Sequence, residues 1–148
     1  MFVSSQDEYS LLVRDIEREQ LPVLEEHGVS ELPYFPLASG LLTGKYRKGQ
    51  AAPKGTRLGE KEALAKKYHS ERNLERMERL KEFAEARGRS LLELAFSWLL
   101  SHEVVASVIA GATKPEQVAA NAKAGDWKLS SAEMDEVDEM TTLLPKAG

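Results

Sequence analysis

The sequence predicts an α/β fold in which parallel strands alternate with helices, and three observations carry that expectation. Apolar runs and helical stripes follow one another as strand, helix, strand, helix pair, strand, helix, helix, the order that parallel strands with right-handed crossovers produce. The run Val104-Val105-Ala106-Ser107-Val108-Ile109-Ala110 is continuously apolar but for one serine, consistent with a strand buried on both faces. The helices announce their starts with Ser90-x-x-Glu93, Thr113-x-x-Glu116 and Ser130-x-x-Glu133, each the pattern of a capping box.

Taken in order, Phe2 to Gln6 reads as a short strand, weakened by Ser4 and Ser5. A helix from about Arg14 to His27 follows, with Ile16, Leu21, Val23 and Leu24 as its apolar side and Gly28 as its stop. Val29 to Leu37 supplies the second strand. A helix opened by Ser70 places Leu74, Met77, Leu80 and Ala84 on one stripe, with Glu75, Arg76, Arg79, Glu82 and Glu85 opposite. The helix after Ser90 is apolar on nearly every side, through Leu91, Leu94, Phe96, Trp98 and Leu99, so protein must cover it. Pro115 sits in a first helical turn, where its missing N–H does no harm, and the last helix carries Met134, Val137 and Met140. Trp98 and Phe96 are expected in the core, and Trp127 over a helix seam or the bottom of the sheet. Three strands cannot close a barrel, and a sheet this small leaves edges open.

The stretch Pro33 to Tyr46 is the centre of the functional argument. Two prolines keep its start extended, and Gly40 and Gly44 let the backbone turn or press close to a bound group. Lys45 follows at once, and Tyr46 to Gly59 adds Arg47, Lys48, Lys54 and Arg57 without one Asp or Glu. A basic loop leaving the end of a core strand lies where α/β folds keep their sites, and an anion is its expected guest.

Composition narrows the classes. The 148 residues are 42% apolar and 30% charged, the balance of a globular protein with an adequate core. A formal charge of −4 argues against general nucleic-acid binding. The absence of cysteine excludes disulfides and thiolate metal sites, and no metal-ligating pattern stands out. The N-terminal residues have no charged-then-apolar signal-peptide pattern. No apolar stretch approaches the roughly 20 residues of a membrane span. A cytoplasmic location is the expectation.

Three segments resemble the aldo-keto reductases, in the branch that includes the potassium-channel β subunits. Phe2-Val3-Ser4-Ser5-Gln6-x-Glu8-Tyr9-Ser10-Leu11-Leu12-x-Arg14 is similar to the family's sixth strand and turn. Tyr34-x-Pro36-Leu37-Ala38-x-Gly40-x-Leu42-x-Gly44-Lys45-Tyr46 resembles the seventh-strand signature. Ile109-x-Gly111-Ala112-Thr113-Lys114-Pro115-x-Gln117-Val118-x-x-Asn121 resembles the eighth strand and its helix. The resemblance implies a partial (β/α)8 TIM barrel: the last three βα units plus a C-terminal helix, with residues 1–148 as the C-terminal part of a domain that runs to about 250 residues when whole.

The same resemblance implies a cofactor, NADP(H), and roles for the matching positions. Gln6 is similar to the residue that hydrogen-bonds the nicotinamide carboxamide, and Tyr34 to the aromatic that stacks on the ring. Leu37, Ser39, Gly40 and Leu42 resemble the contacts along the pyrophosphate, and Lys45 and Arg57 the loop cations that fold over the phosphates. Gly111, Thr113, Gln117 and Asn121 match the adenosine and 2′-phosphate end. Gln117 stands where many monomeric members carry an arginine, which weakens the preference for NADPH unless Lys114 and Arg57 compensate. A strand leading into a helix N-terminus at this point is also an anion site on physical grounds.

The family's catalytic Asp, Tyr, Lys and His come from its first four strands, and none of those motifs occurs here, so no catalytic residue is assigned. His27 reads as a helix C-terminal histidine, and His69 and His102 as surface residues beside helix ends. The expectations are an NADPH-dependent carbonyl reductase whose chemistry needs the complete barrel, a non-catalytic NADP(H)-binding or regulatory module, or an inert truncated barrel. The implied partners are the nucleotide, a carbonyl substrate in the complete barrel, and a separately made N-terminal half or a second copy. Nucleic acid and membrane are not among them.

Overall fold

A computed structural model describes residues 2–142; residue 1 and residues 143–148 of the expected 1–148 unit lie outside the described residues. Strand β1 (Ser4–Ser5) runs parallel to β2 (Ser30–Glu31), with Ser4 opposite Ser30 and Ser5 opposite Glu31. The pairing continues past these short ladders: the Leu32 N–H donates to the Ser5 carbonyl at 3.0 Å and the Tyr34 N–H to the Asp7 carbonyl at 2.9 Å. On the other side of β2, Glu31 donates to the Val104 carbonyl at 2.7 Å, Ala106 to Glu31 at 3.1 Å and Ile109 to Pro33 at 3.0 Å. The three expected strands are therefore adjacent and parallel, with β2 in the middle.

Their regular parts are shorter than the sequence suggests, and the third is an extended segment with one bridge, Glu31 to Val105. The expectation that residues 104–110 are buried on both faces fails beyond Val105. Val104 and Val105 are buried, but Ala106 and Ser107 are exposed and Ile109 is 42% exposed. Only β2 flanks this segment among the described residues, and a parallel strand gains regular bonds and cover only from neighbours on both sides.

Helix α1 (Gln20–His27) is shorter than the expected 14–27 because a 3₁₀ turn at Asp15–Glu17 precedes it. Leu21 is buried, whereas Val23 is 51% exposed, on the far side of the helix from Leu21 and Leu24. Gly28 closes it in the left-handed conformation, φ 62°, which only glycine adopts freely. Helices α2 (Arg57–Glu60) and α3 (Glu62–Tyr68) follow the basic loop. The pair α4 (Glu71–Glu85) and α5 (Leu91–Leu100) then packs together, and α6 (Pro115–Lys123) and α7 (Ser131–Thr141) complete the chain.

Helix α5 is covered as its composition demands, with Leu94, Ala95, Trp98 and Leu99 essentially inaccessible. Its capping box is complete: Ser90 Oγ accepts from the Glu93 N–H and Glu93 accepts from the Ser90 N–H. The box at Ser130 and Glu133 is complete as well. The expected box at Thr113 and Glu116 does not form. Pro115 occupies the first helical position, so Lys114 is the N-cap and Gln117 the third residue. It is Gln117 that reaches back, accepting from the Thr113 N–H at 2.7 Å.

The stripe Leu74, Met77, Leu80 and Ala84 is buried as expected, but Arg76, placed by periodicity on the solvent side of α4, is only 8% exposed because α7 packs there. Trp127 covers a helix seam, its ring stacked 6.2 Å from Phe83 of α4.

Candidate cofactor site

Parallel pairing carries the ends of all three strands to one side of the sheet. Tyr34 is level with Glu8 on the parallel ladder, so Gln6 lies two residues back on the adjacent strand, and the bond from Ile109 to Pro33 brings the segment before Gly111 alongside. Gln6 is exposed and Tyr34 is 38% exposed, its ring edge-on to Phe35 at 5.4 Å. The two positions expected to meet a nicotinamide are thus on adjacent strands, and both are open to a ligand.

The chain then enters its most strained stretch. Phe35, Ala38 and Ser39 have φ of 52°, 46° and 56°, left-handed values at residues that carry a Cβ, and Gly40 and Gly44 follow at 95° and 75°. Each such non-glycine residue costs about 1–2 kcal/mol, and such strain collects at ligand clamps. Two short turns joined across a kink at Ser39 and Gly40 result, held by the Gly40 and Leu42 N–H groups donating to the Leu37 carbonyl at 2.8 and 3.1 Å. Leu42 and Ser39 are buried, and Leu37 is half-buried against the core.

Both loop cations return to this stretch. Lys45 lies over Gly40, where an added Cβ would meet its Nζ at 3.6 Å, and the Arg57 guanidinium sits 5.6 Å from the Phe35 ring. Arg57 is placed by local chemistry: Thr56 caps α2 by accepting from the Gly59 N–H at 3.2 Å, and Glu60 accepts from the Gly55 N–H at 2.9 Å.

Three buried polar atoms beside this loop have no hydrogen-bond partner among the described residues: Ser39 Oγ, Tyr46 Oη and His69 Nε2. Tyr46 and His69 meet edge to face at 5.8 Å. Buried polar atoms without partners are uncommon and ask for a ligand or water. His69 is therefore not the surface residue expected from the sequence. Tyr68, next to it, donates its hydroxyl to Glu8, and burial together with that carboxylate pushes the phenol well above its ordinary value. Neither Tyr68 nor His69 is marked by any periodicity in the sequence.

His102 also departs from expectation. It is half-buried, 3.1 Å from the Tyr9 hydroxyl through Nε2 and 2.9 Å from the Trp98 carbonyl through Nδ1. Tyr9, fully buried, donates to Glu17 at 2.7 Å, and burial followed by Glu17 raises its phenol. Arg14 joins this network to α7 through Asp138 at 2.8 Å and Thr141 at 2.6 Å. His27, the last residue of α1, is exposed as expected.

At the start of α6, Thr113 and Gln117 are engaged with each other, and the Gln117 amide nitrogen is left for another partner. Gly111 has open space where a Cβ would be. Asn121 is half-buried and lines a cleft of about 380 Å³ between α5, α6 and residues 106–112. The structure thus groups Gln6 with Tyr34, and Leu37, Ser39, Gly40 and Leu42 with Lys45 and Arg57. Gly111, Thr113, Gln117 and Asn121 form a second group at α6. No cluster of metal-ligating side chains occurs among the described residues.

Known proteins share this sequence pattern and fold. Residues 1–142 match the Aldo/keto reductase family. The chain is 38% identical over 140 residues to an L-glyceraldehyde 3-phosphate reductase of Escherichia coli O157:H7, covering 90% of this chain and 40% of that protein. It is 36% identical over 149 residues to a probable voltage-gated potassium channel subunit beta of Arabidopsis thaliana, covering 97% and 45% respectively. Among solved structures, the glycerol dehydrogenase of Gluconobacter oxydans superposes with a TM-score of 0.78 at 30% identity, over 98% of this chain and 45% of that one. The chain spans less than half the length of the curated relatives it matches. With the match running from residue 1 to 142 and the fold in common, this chain belongs to the aldo/keto reductase family.

Proposed function

We propose that this chain is the nucleotide-holding side of an NADPH-dependent carbonyl reductase, the last three βα units and closing helix of a (β/α)8 barrel. The observation that carries the proposal is the loop 35–46. It combines three left-handed non-glycine residues, buried Ser39 and Tyr46 oxygens without partners among the described residues, and two cations folded back over it. Those features fit a bound pyrophosphate, whose oxygens would accept from the Ser39 and Tyr46 hydroxyls, which have no partner among the described residues.

In this proposal Tyr34 stacks on the nicotinamide and Gln6 holds its carboxamide. Leu37, Ser39, Gly40 and Leu42 line the pyrophosphate, and Lys45 and Arg57 neutralise it. Gly111 gives the backbone room, and Thr113, Gln117 and Asn121 meet the adenosine end, with Lys114 and Arg57 standing in for the 2′-phosphate arginine. When bound, the nicotinamide supplies the hydride for reduction of a carbonyl. The acid that protonates the carbonyl oxygen lies in the part of the barrel outside this chain.

NADPH fluorescence titration of the chain tests the binding half: saturable binding is expected, weakened about tenfold or more by Lys45→Ala, since a charge-assisted phosphate contact contributes on the order of 1.5–3 kcal/mol. Unchanged binding in that variant would overturn the assignment. The catalytic half is tested by NADPH consumption with an aromatic aldehyde, which the isolated chain should not support above background. A second reading, a regulatory nucleotide-binding module, is favoured by the likeness to potassium channel β subunits. It also requires saturable binding, and it differs in predicting no turnover when the remaining barrel is supplied.

A further inference from the structure

Glu31 is the anomaly that the cofactor loop leaves unexplained. It sits in the middle strand, fully buried, where a carboxylate is expensive unless a counter-charge or enough donors meet it. One oxygen, Oε1, accepts from the Asp7 N–H at 2.9 Å. The other, Oε2, is buried without a partner among the described residues.

The groups packed around Glu31 decide which proton state fits. The segment Val104 to Ala106 brings apolar side chains and backbone, with Glu103 exposed and His102 turned to Tyr9. Helix α1 brings Gln20, and its Glu25, Glu26 and His27 are exposed. From the chain after β1 comes Asp7, a charged side chain within hydrogen-bond reach of the Glu31 carboxyl. Asp7 is itself held in place: its Oδ2 accepts from Ser5 Oγ at 2.6 Å and from Gln20 Nε2, while Oδ1 takes no donor among the described residues. Two carboxylates meeting in this way repel, whereas one proton between them makes one group a donor and the other its acceptor. Burial, with the charge of Asp7 behind it, outweighs the Asp7 and Leu32 N–H groups that favour a charged Glu31, and keeps its carboxyl above the ordinary 4.5.

We infer that Glu31 and Asp7 share one proton, Glu31 standing as the neutral acid that donates through Oε2 to the Asp7 carboxylate, and that this bond is a pH-sensitive clamp between two strand ends. Asp7 is the point of attachment, since it follows Gln6 and its carbonyl accepts from the Tyr34 N–H at 2.9 Å. While the proton is held, the chain after β1 is fixed to β2 by side chain as well as by backbone. When it leaves, two like charges face each other at a buried site, and that end loosens. A carboxyl raised by folding stabilises the fold below its unfolded value and loses that contribution as pH rises through the folded value, so the clamp opens on the alkaline side. The clamp belongs to the ligand-free chain and does not depend on a nucleotide.

Carbon-13 NMR of the full chain, labelled at Glu Cδ and Asp Cγ, tests the shared proton. Glu31 Cδ should titrate with a midpoint above 4.5, Asp7→Asn should lower that midpoint, and deuterium in place of the carboxyl proton should shift both Glu31 Cδ and Asp7 Cγ. Glu31→Gln, whose amide copies the donor of the neutral acid, is the reference for amide exchange. The Leu32 and Tyr34 N–H groups should be equally protected in parent and variant below the parent's midpoint. Above it they should be about tenfold less protected in the parent, the fold-change of one charge-assisted hydrogen bond. A Glu31 midpoint at or below 4.5, a midpoint unmoved by Asp7→Asn, or a protection ratio that ignores pH would overturn the inference. Should Asp7→Asn fail to fold, the deuterium shift decides in its place, and a shift confined to Glu31 overturns the sharing.

Discussion

Ser39 shows at the scale of one residue where strain and an unmet hydroxyl meet in the candidate site. Its φ of 56° is strained for a residue with a Cβ, and its buried hydroxyl has no partner among the described residues. Glycine at this position would relieve about 1–2 kcal/mol of strain against roughly 0.5–1 kcal/mol of added unfolded-state freedom. Ser39→Gly is therefore expected to raise Tm slightly while weakening NADP⁺ binding, and a calorimetric melt with a parallel titration checks both. Glu31 is a second such residue. It is fully buried, accepts from the Asp7 N–H at 2.9 Å through one oxygen, and leaves the other without a partner. Burial, and then the nearby Asp7, raise its carboxyl above the ordinary 4.5. A carboxyl raised by folding favours the folded state while protonated, below its unfolded value, and that contribution disappears as pH rises through the folded value. Glu31→Gln should accordingly raise Tm at neutral pH, with the advantage fading below about pH 4.5; an equal gain at both pH values would contradict this account of Glu31.

At the scale of elements, the helices were largely legible and the strands only in outline. Leucine spacing in α4 and the all-round apolar character of α5 are local properties, and so are the serine-glutamate caps. The cap at α6 was misplaced by one residue because Pro115 fits either the first or second position of a first turn. Strand length was not legible, since regular pairing depends on neighbours that periodicity does not report. Arg76 was placed on the wrong side of α4 for a similar reason: the cover comes from α7, some sixty residues away in sequence. Two consequences belong here. Glu93 and Glu133 are held below the usual carboxylate value chiefly by the N–H groups of Ser90 and Ser130. Their contribution is present above the unfolded value and is lost as pH falls through the lowered folded value, so hydrogen exchange at the first turns of α5 and α7 should quicken in acid before the rest of those helices. Gly59→Ala would drive a Cβ to 2.2 Å from the Pro53 carbonyl oxygen, a backbone atom that cannot simply swing away. That variant should loosen α2, displace Arg57 and reduce NADP⁺ affinity without changing the α4–α5 core, which amide exchange resolves segment by segment.

Taken whole, the molecule has one core and a sheet with little cover at its margins. Tyr9, Leu42, Met77, Leu94, Trp98 and Val137 belong to one buried cluster that ties the turn after β1 to the last helix. Phe2, Val3 and Ile109 are exposed at the sheet's outer segments. The sequence resemblance puts the candidate site at the strand ends because its motifs sit on the chain that leaves them, and parallel pairing brings those ends together. It could not show that Tyr46 and His69 back the same loop, since their meeting depends on how α3 folds over it. Core truncation should act on the whole unit: Leu94→Ala is expected to cost about 2–5 kcal/mol, seen as a fall in Tm shared by near- and far-ultraviolet circular dichroism. The most direct test of the central claim is isothermal calorimetry of NADP⁺ against the chain and its Lys45→Ala/Arg57→Ala double variant. One-site saturable heat in the parent, at least about tenfold weaker in the double variant, is the expected result. Equal affinity in the two proteins, or no saturable heat in the parent, would contradict it.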